Sequence, residues 1–417
     1  MADIQMLRPL RHRDFGLLWA GMSISIVGDG AYQVALAWQV YLLSDTPTAL
    51  SIVGAAATLP NLLFVLFAGI LADRFERRKV LIVADLMRGV ANAAIGILAI
   101  TGQLELWHVI ASSVVYGVGQ SLFGPAFTAL VPDLVPKEDL PQANAVDSLV
   151  RPLGLSLLGP ALGGLLIAAT GAGTALLLDA ASFGVSIAAL ALMRPHPLPV
   201  TSRSGVSTAL ADLTEGLAYV RAHTWLWGTL VAACVSLLVF MGPLRVLVPF
   251  VIKNQLSGSA GDLGLVFATG GVASIVTSLA FSQRGLPARP VLWMFVSWGL
   301  AIVFIAGFGI ATELWQAAVM MFIVSGLSTV GMLIWGTLLG TRVPRELLGR
   351  VSSLDWLLSI GLVPVSFIAT GPVADLIGVS QTLVLAGLLG GAIFSAFLFL
   401  PGLREQDTGL PAVSRVQ

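Results

Sequence analysis

Charged side chains are scarce in this chain: they make up 11% of its 417 residues, whereas hydrophobic residues make up 57%. Soluble domains contain about 25% charged and about 45–50% apolar residues. A water-soluble globule of this size would need far more polar surface, and the mean hydropathy of +0.92 leads to the same conclusion. The composition therefore excludes a soluble domain and predicts a polytopic membrane protein.

Cysteine is nearly absent. The single cysteine, Cys234, excludes an internal disulfide and a cysteine metal cluster, and its place in an apolar run is typical of a small buried hydrophobe. The 22 basic and 22 acidic residues balance, so nothing indicates a nucleic-acid partner. A phosphate-binding G-x-x-x-x-G-K-[ST] loop is also missing, so ATP is not expected to supply energy within this chain.

Features of an enzyme are missing too. The four histidines fall at span ends or in loops, no metal-ligand spacing occurs, and no nucleophile–base pair is evident. We therefore expect no enzyme activity, no metal and no cofactor. The polar, cationic N-terminus precedes an apolar run that is too long for a signal-peptide core, so no cleavable signal is expected. The histidines are His12, His108, His196 and His223.

Twelve apolar runs are long enough to cross a bilayer, which takes about 20 residues in a helix. They predict twelve transmembrane helices. The predicted spans are residues 15–43, 48–72, 79–101, 106–131, 146–170, 174–193, 225–251, 262–282, 290–311, 314–341, 352–372 and 379–400.

Basic residues alternate between the connections. The N-terminal segment, every second connection and the C-terminal tail hold nearly all of them, and the other six connections hold one, Lys253. By the positive-inside rule both termini are cytoplasmic, which requires an even number of spans. The predicted cytoplasmic cations are Arg8, Arg11, Arg13, Arg74, Arg77, Arg78, Lys79, Lys137, Arg194, Arg203, Arg221, Arg284, Arg289, Arg342, Arg345, Arg350, Arg404 and Arg415.

The longest connection divides the chain into six plus six spans. It starts with prolines and serines, as a linker does, and then places Leu210, Leu213, Leu217 and Val220 on one helical face. This pattern predicts a short amphipathic helix on the cytoplasmic membrane surface, with a solvated helix between domains as the alternative. The predicted domains are residues 1–193, 194–224 (the linker and helix), 225–402 and 403–417.

The two halves repeat a short motif. Val135-Pro136-Lys137-Glu138 before span five returns as Val343-Pro344-Arg345-Glu346 before span eleven, an offset of 208, which also carries Asp147 onto Asp355. Halves related by an axis along the membrane normal are typical of transporters whose substrate site lies between them.

Two motifs carry a resemblance to a known family. Between spans two and three the chain reads GILADRFERRKV (residues 69–80), and span five reads GLSLLGPALGG (residues 154–164). The first resembles the signature loop of the major facilitator superfamily, roughly G-x-L-a-D-r-x-G-R-r. The second resembles the G-x-x-x-x-G-P-x-x-G-G motif that marks antiporter-type exporters in that superfamily, here Gly154, Gly159, Pro160, Gly163 and Gly164.

Within that superfamily the chain is most similar to the 12-span bacterial drug and siderophore exporters, which include enterobactin exporters, macrolide efflux proteins and Tap-like pumps. The carrying segments are Gly28-Asp29-Gly30 with Trp38-Gln39, Ala84-Asp85-Leu86-Met87-Arg88-Gly89, and Leu130-Val131-Pro132-Asp133-Leu134-Val135-Pro136. Two positions depart from the pattern. Glu76 replaces the usual Gly of the loop, and span four lacks the arginine of many drug/proton antiporters, with Tyr116 to Gln120 near that place.

The resemblance implies two pseudo-symmetric six-helix bundles in the major facilitator fold. It implies a monomeric secondary transporter in the bacterial inner membrane that exports amphipathic drugs or siderophore-like compounds by proton antiport and alternating access. Its partners would be a small-molecule substrate, protons and the lipid bilayer. Uptake by proton symport and flipping of lipids or lysolipids remain alternatives within the same fold.

Asp29 is the sharpest functional candidate, because a charge in the middle of a span is costly. It lies about 14 residues into span one, roughly 21 Å along the helix. We expect Asp29 to exchange a proton during transport or to hold a cationic substrate group, with a packing role as the alternative. Asp179 is expected to form a structural or gating pair, and Arg245 to bind an anionic group or close an outer gate; Asp29 and Asp179 are both candidate partners for Arg245.

Charges are also expected to form an inner gate at the cytoplasmic face. Asp85 and Arg88 are three residues apart, and Asp147 and Arg151 are four apart, spacings at which helical side chains meet. The resemblance implies that Asp73 meets the start of span eleven in the outward-open state, where Ser352 and Ser353 suit a helix start. Arg78 and Lys79 are expected to anchor lipid headgroups. The predicted gating set is Gly69, Asp73, Arg74, Arg77, Asp85, Arg88, Asp147, Arg151, Asp179 and Asp355.

Family position also implies which side chains line the substrate cavity. The set is aromatic and methionine-rich with few charges, which suits bulky, partly apolar compounds, some of them cationic. For any single aromatic residue, facing lipid or packing is an equal alternative. The candidates are Tyr32, Gln33, Asn61, Gln120, Phe123, Phe127, Phe240, Met241, Arg245, Met332, Trp335 and Trp356.

Overall fold

A computed structural model describes residues 5–195 and 206–407, and within these ranges every regular element is a helix. The α-helices of the first half are α1 (Arg13–Leu43), α2 (Pro47–Arg74), α3 (Arg77–Ile100), α4 (Leu106–Leu134), α5 (Leu140–Arg151), α6 (Gly159–Thr170) and α7 (Ala172–Leu192). Those that follow are α8 (Val206–Ala222), α9 (Thr224–Gly242), α10 (Val248–Phe250), α11 (Ala260–Arg284), α12 (Pro290–Phe304), α13 (Ala306–Ile310), α14 (Leu314–Arg342), α15 (Arg345–Gly361), α16 (Val363–Ile377) and α17 (Val379–Ala396).

Two spans contain wider π-helical turns that join consecutive α-helices. Pro152–Leu158 joins α5 to α6, while Pro243–Leu247 and Val251–Gln255 flank the short α10. Two of these turns start at a proline, which has no N–H to donate to the preceding turn. Helices α5 and α6 therefore form one continuous crossing, and α9 and α10 form another, as the hydropathy of spans five and seven predicts.

Eleven helical segments of the described chain are long and apolar enough to cross a membrane. The remaining predicted span is α1, whose 31 residues give about 46 Å of helix at 1.5 Å per residue. Its polar residues, among them Asp29, Gln33 and Gln39, lower its hydropathy relative to the others. The prediction of an all-α membrane protein is confirmed.

Span eleven begins earlier than predicted. Helix α15 starts at Arg345, so Ser352 and Ser353 lie two turns inside it, and the Ser353 hydroxyl donates to the Gly349 carbonyl at 2.9 Å. The expectation that these serines form a helix start is therefore wrong. The Val-Pro pair at 343–344 ends the preceding helix instead, because a proline cannot continue it without losing a backbone hydrogen bond.

The chain forms two compact units. The first comprises Met1–Val200 together with Ile252–Gly271, and the second comprises Thr201–Val251 and Val272–Gln417. The beginning of α11 therefore associates with the helices of the first half, which a division into sequence halves does not anticipate. The predicted domain limits at residues 193 and 225 stay a prediction.

The core of the first unit forms where α1 packs against α4. Phe15, Trp19 and Met22 on α1 are almost fully buried, together with Phe127 and Leu130 on α4. The rings of Trp19 and Phe127 meet edge to face at 6.1 Å between centroids. On α1, Phe15 and Trp19 are four residues apart and Trp19 and Met22 are three apart, so these side chains lie on one face of the helix.

Glycines allow helices α1 and α6 to approach very closely. A Cβ atom on Gly159 would lie 2.6 Å from the Gly30 Cα and 2.6 Å from the Val27 carbonyl oxygen, and one on Gly163 would lie 2.6 Å from the Ala31 Cα. Real Cβ atoms do not approach other heavy atoms this closely. Small residues at helix crossings allow the backbones to meet in this way in membranes. These glycines of the span-five motif therefore fix the α1–α6 crossing.

A neighbouring face of α6 meets α11. A Cβ atom on Gly164 would lie 2.9 Å from the Gly264 Cα and 2.8 Å from the Ala260 carbonyl oxygen. The adjacent motif glycines, Gly163 and Gly164, thus serve two different helix contacts. This explains physically how part of α11 joins the first unit.

One end of the first unit collects the predicted cytoplasmic cations. Arg8 and His12 contact the Asp139 carboxylate at 3.2 and 2.9 Å, and Arg78 donates to the Met193 carbonyl at 2.5 Å. These contacts bring together the N-terminal segment, the α2–α3 turn, the α4–α5 connection and the end of α7. The connections that the basic pattern assigns to one membrane face therefore lie at one end of this unit.

The other end carries the one cation predicted outside. The Lys253 ammonium donates to the Asp45 carboxylate at 2.7 Å, in the connection between α1 and α2. This hydrogen bond and the charge of Lys253 hold the pKa of the Asp45 carboxyl below its usual range. The ion pair therefore persists at pH values where an isolated aspartate begins to protonate.

The second unit has its own core, and α8 is part of it. Trp225, Phe295 and Phe394 are fully buried, and Val220 at the end of α8 is buried with them. The α8 carboxylate Glu215 pairs with Arg350 of α15 at 2.5 Å. The apolar face of α8 therefore packs on protein along its described part. The side chains of Leu210 and Leu213 lie outside the described residues.

The internal repeat extends to whole helices. Helices α4 and α14 each have 29 residues, and both their first and last residues are 208 positions apart. Each begins with a reciprocal capping box, Glu105 with His108 and Glu313 with Gln316, again at the same offset. The offset therefore gives a residue-by-residue correspondence between the two halves.

The close α1–α6 crossing predicts a steep cost for one methyl group. Gly159→Ala forces the Cβ into backbone atoms that cannot move aside, and overpacking of this kind costs about 1–3 kcal/mol. We expect a lower melting temperature of the purified protein in detergent. Gly184→Ala is the matched control, since a Cβ there meets nothing within 4 Å. Equal melting temperatures for the two variants would contradict the crossing.

Candidate functional site

A buried arginine is at the centre of the first unit. Arg88 is the twelfth of the 24 residues of α3, and only 2% of it is exposed. Its guanidinium lies between the Phe123 ring of α4 and the Phe183 ring of α7, with 4.5 Å from its central carbon to each ring centroid. Aromatic faces attract a cation most strongly where water is excluded. The two rings therefore hold the guanidinium in place.

Asp85 forms the tighter of two ion pairs with this arginine. It is fully buried, it accepts from Arg88 Nη2 one turn along α3, and its second oxygen accepts from the Ser186 hydroxyl of α7 at 2.6 Å. Both carboxylate oxygens thus have a donor. The predicted i, i+3 pair is present. It lies in the middle of α3 rather than at the cytoplasmic face, because Arg88 faces α1, α4 and α7 at this depth.

Asp29 of α1 is the second carboxylate beside Arg88. Its Oδ2 lies 3.7 Å from Arg88 Nη1, and its Oδ1 accepts from the Tyr116 hydroxyl of α4 at 2.8 Å. The Tyr116 ring stacks on Tyr32 with 4.6 Å between centroids. The Asp29 side chain is 19% exposed, whereas Asp85 is 0% exposed. Asp29 is therefore the carboxylate of this pair that solvent or substrate can reach.

Asp179 of α7 lies next to the same site but has neutral partners. Its Oδ2 accepts from the Asn92 amide at 2.5 Å, and its Oδ1 lies 3.4 Å from the Ser182 hydroxyl. A methyl group on Gly28 would collide with this carboxylate, so the glycine before Asp29 makes room for it. This favours a structural role for Asp179 at the junction of α1, α3 and α7.

Three carboxyl groups thus surround one guanidinium in a site that is nearly dry. Two excess negative charges in such a place are costly, because little water reaches them and no second cation makes an ion pair with them among the described residues. The hydrogen bonds from Tyr116, Ser186 and Asn92 offset only part of that cost. The arrangement is suited to holding a proton as well as an ion pair.

Other members of the predicted gating set lie elsewhere. Arg77 pairs with Asp133 and donates to the Ala129 carbonyl of α4 at 2.9 Å. Arg74 is exposed, and a Cβ on Gly69 would meet nothing within 4 Å. The side chain of Asp73 lies outside the described residues. In the part of the chain that the structure describes, Arg77 pairs with Asp133 rather than with Asp85, and the gate stays a prediction.

Arg78 differs from its expected role as a lipid anchor. It is half-buried, pairs with Glu76 at 3.0 Å and donates to the Met193 carbonyl at the end of α7. Lys79, which is 70% exposed, also contacts Glu76, at 3.1 Å. Glu76, which departs from the family pattern, thus binds two of the loop cations.

The predicted pair on span five is also present. Arg151 Nε lies 2.9 and 3.1 Å from the two Asp147 oxygens, and its guanidinium lies 5.2 Å from the Phe127 ring centroid. Phe127 stacks on Phe123. The stacked rings of Phe127 and Phe123 therefore connect the Arg151–Asp147 pair with the Arg88 site.

Cavity candidates of the first unit divide into two groups. Gln120 accepts from Arg88 Nη1 at 3.0 Å, and Tyr32, Phe123 and Phe127 take part in the ring contacts above, so these four belong to the buried site. Gln33 on α1 and Asn61 on α2 are half-buried outside that set of contacts.

The candidates of the second unit differ widely in burial, although Trp335 and Phe240 belong to the same hydrophobic cluster. Trp335 is buried and donates through Nε1 to Asp355 at 3.0 Å. Trp356 is 42% exposed and Met332 is 63% exposed. Phe240 and Met241 are half-buried on α9, and Arg245 is exposed in the following π-helical turn.

Sequence reasoning missed several members of the Arg88 site. Tyr116, Asn92, Phe183 and Ser186 are not among the predicted residues, although each contacts Arg88 or one of the three carboxyl groups. A polar Asn92 inside an apolar span was a detectable signal, since it lies one turn beyond Arg88. Phe183 gave no signal, because an aromatic residue in a membrane helix usually faces lipid or packs.

Comparison with known proteins places these features in a family. A family model described as a transmembrane secretion effector matches residues 4–412. The multidrug efflux pump Tap of Mycolicibacterium fortuitum is 28% identical over 404 residues, covering 94% of this chain and 96% of Tap. The enterobactin exporter EntS of Citrobacter koseri is 30% identical over 347 residues, covering 82% of this chain and 81% of EntS.

A solved structure supports the fold. A bacterial homologue of the iron transporter ferroportin, crystallised in an inward-facing state, matches with a TM-score of 0.69. The match covers 92% of this chain and 98% of that protein at 15% identity. At this identity the likeness shows the fold alone. The predicted major facilitator fold and the resemblance to the drug and siderophore exporters are confirmed.

The Arg88 site predicts a large loss of stability when its cation is removed. Arg88→Ala leaves Asp85 and Asp29 buried without a counter-ion, and breaking a buried pair in this way costs about 3–5 kcal/mol. Lys79→Ala breaks an exposed pair and should cost below about 1 kcal/mol. Thermal unfolding in detergent compares them. Arg88→Met combined with Asp85→Asn should recover part of the loss, and equal melting of the two single variants would show that Arg88 does not hold the site.

Proposed function

Because the chain belongs to the transmembrane secretion effector family of the major facilitator superfamily, we propose that it exports amphipathic small molecules by proton antiport. Family members are transporters rather than enzymes, and the relatives named above are exporters. Drugs or siderophore-like compounds are the proposed substrate class. Transport would proceed by alternating access between the two membrane faces.

The contact between Asp29 and Arg88 is the observation that carries the proton-coupling proposal. Arg88 supplies, from α3, the membrane cation that the family pattern leads one to expect on span four. Tyr116 stands near that position and donates to Asp29 instead. We infer that Asp29 and Arg88 act as a carboxylate–arginine pair, in which the arginine is on α3 instead of span four.

Asp29 is the proposed proton carrier among the three carboxyls. Asp85 has donors on both oxygens and no exposed surface, and Asp179 is 1% exposed. Asp29 is 19% exposed and lies farther from the guanidinium than Asp85 does. A proton on Asp29 removes one of the two excess negative charges and weakens the attraction of Asp29 to Arg88. Loss of that proton restores the attraction and pulls α1 towards α3.

The α1–α6 crossing is a suitable route for this change. Gly28 and Gly30 flank Asp29, and Gly30 touches Gly159 of α6 without any intervening side chain. A small movement of α1 at Asp29 therefore acts directly on the backbone of α6. Tight packing transmits such shifts because packed interfaces do not deform continuously.

The setting of the protein belongs to the same proposal. The cation-bearing connections gather at one end of the first unit, which supports an orientation with both termini in the cytoplasm. We place the protein as a monomer in the bacterial inner membrane. The aromatic, methionine and polar candidates of each unit, with Arg245 as the cationic one, are proposed to contact the substrate.

Export should depend on the Asp29 proton. Asp29→Asn keeps the Tyr116 hydrogen bond but removes the titrating group, so we expect export driven by a proton gradient to fall to the background rate. Proteoliposomes with a pH-sensitive dye inside measure proton movement coupled to substrate addition. Glu138→Gln, an exposed carboxylate in the α4–α5 connection, is the matched control and should transport normally. Unchanged proton-coupled export in Asp29→Asn would overturn the proposal.

The direction of transport has a separate test. We expect cells that lack the protein to accumulate more of its substrate, and a protonophore to abolish the difference from wild-type cells. Dyes, macrolides, tetracyclines and siderophores form the screening panel. Lower accumulation in the deletion strain would indicate uptake instead. Translocation of labelled lipids by proteoliposomes, without export of any panel compound, would indicate a flippase.

A further inference from the structure

The second unit contains a carboxylate that lacks the cation present at the equivalent place in the first. The offset of 208 that relates α4 to α14 carries Asp147 onto Asp355 and Arg151 onto Ser359. Asp147 is neutralised by Arg151, whose Nε contacts both carboxylate oxygens. At the corresponding position on α15 the arginine is replaced by a serine.

Neutral donors take the place of that arginine. The Trp335 indole N–H donates to Asp355 Oδ2 at 3.0 Å, and the Ser359 hydroxyl lies 3.3 Å from Oδ1. Over residues 5–195 and 206–407, no lysine, arginine or histidine makes an ion pair with Asp355. Arg350, the nearest arginine before it on α15, pairs with Glu215 of α8.

An ionised carboxylate in such a place is costly unless a cation or a proton joins it. Asp355 is half-buried and sits eleven residues into α15, about 16 Å along a helix whose span crosses the membrane. Hydrogen bonds from an indole and a hydroxyl orient its oxygens but do not cancel the charge. Acids retained at this depth in membrane proteins mark ligand or ion sites.

The surroundings of Asp355 fit an organic cation. Trp335 is held edge to face against Trp225, with 5.9 Å between centroids, so its indole is fixed. Trp356, the next residue after Asp355, leaves 42% of its side chain exposed, and Met332, one turn before Trp335 on α14, leaves 63% exposed. Exposed indole faces and thioethers attract large, soft cations.

We propose that Asp355, with Trp335 and Trp356, is a subsite for the charged group of a lipophilic cation, such as a quaternary ammonium or phosphonium compound. Because Ser359 carries no charge, the Asp355 carboxylate remains available to a cationic ligand. The subsite rests on the proposed export function and narrows its substrates to a class in which a permanent positive charge adjoins aromatic or aliphatic groups. It is separate from the Asp29 site, which belongs to the first unit.

Binding of tetraphenylphosphonium to the purified full-length protein in detergent tests the subsite, with uncharged triphenylphosphine oxide as the matched ligand. Asp355→Asn should weaken binding of the cation by about tenfold or more and leave the neutral ligand unaffected. Ser359→Arg recreates the ion pair of α5. It should therefore weaken binding of the phosphonium cation as much as Asp355→Asn does, although the carboxylate remains. Glu346→Gln, which changes an exposed acid on the same helix, should bind as wild type does.

Unchanged phosphonium affinity in both Asp355→Asn and Ser359→Arg would overturn the subsite. Equal weakening of the charged and neutral ligands would also overturn it, because it would mean that Asp355 only shapes the helix. Melting temperatures identify a misfolded variant, and the ratio of phosphonium to phosphine oxide affinity in the other variant then decides. Failure of proton-driven export in the wild-type protein, with phosphonium binding still sensitive to Asp355, would reject the proposed function and leave the subsite standing.

Discussion

The burial of Arg88 is the constraint on which the first unit depends. A guanidinium in the middle of a membrane helix is tolerated only where carboxylates and aromatic faces replace water. Helices α1, α3, α4 and α7 each contribute a side chain to that replacement: Asp29, Asp85, Phe123 and Phe183. The positions of four helices are thereby coupled to one charge, and a change in the protonation of the exposed partner reaches all four.

The glycines next to the site give this coupling a mechanical consequence. Gly28 makes room for Asp179, and Gly30 allows α1 to touch α6 backbone to backbone at Gly159. On a neighbouring face, α6 meets α11 in the same way through Gly164. A side chain at these positions would separate the helix backbones and absorb part of a movement of α1. Without one, a shift of α1 is passed on through α6.

Much of the fold could be predicted from the sequence. Hydropathy predicts the spans, the basic residues in alternate connections predict the orientation, and the repeat predicts two related halves. The predicted spans five and eleven begin too late, because polar residues such as Gln142 and Asn144 before the first and Glu346 and Arg350 before the second interrupt the apolar run. The start of α11 joins the first unit through a glycine contact that leaves no hydropathy signal. Asp29, Asp85 and Arg88 could be found individually as costly charges. Their meeting could not, because it depends on how α1 and α3 are rotated and packed.

Carboxyl protonation in the resting protein tests the central claim most directly: Asp29 is the group that gains and loses a proton beside a fixed Arg88. Infrared difference spectra of the lipid-reconstituted protein on acidification would show the carbonyl stretch of each newly protonated carboxyl. The account predicts a band from a buried carboxyl that is missing in Asp29→Asn and retained in Glu138→Gln. A band that persists unchanged in Asp29→Asn would contradict the account.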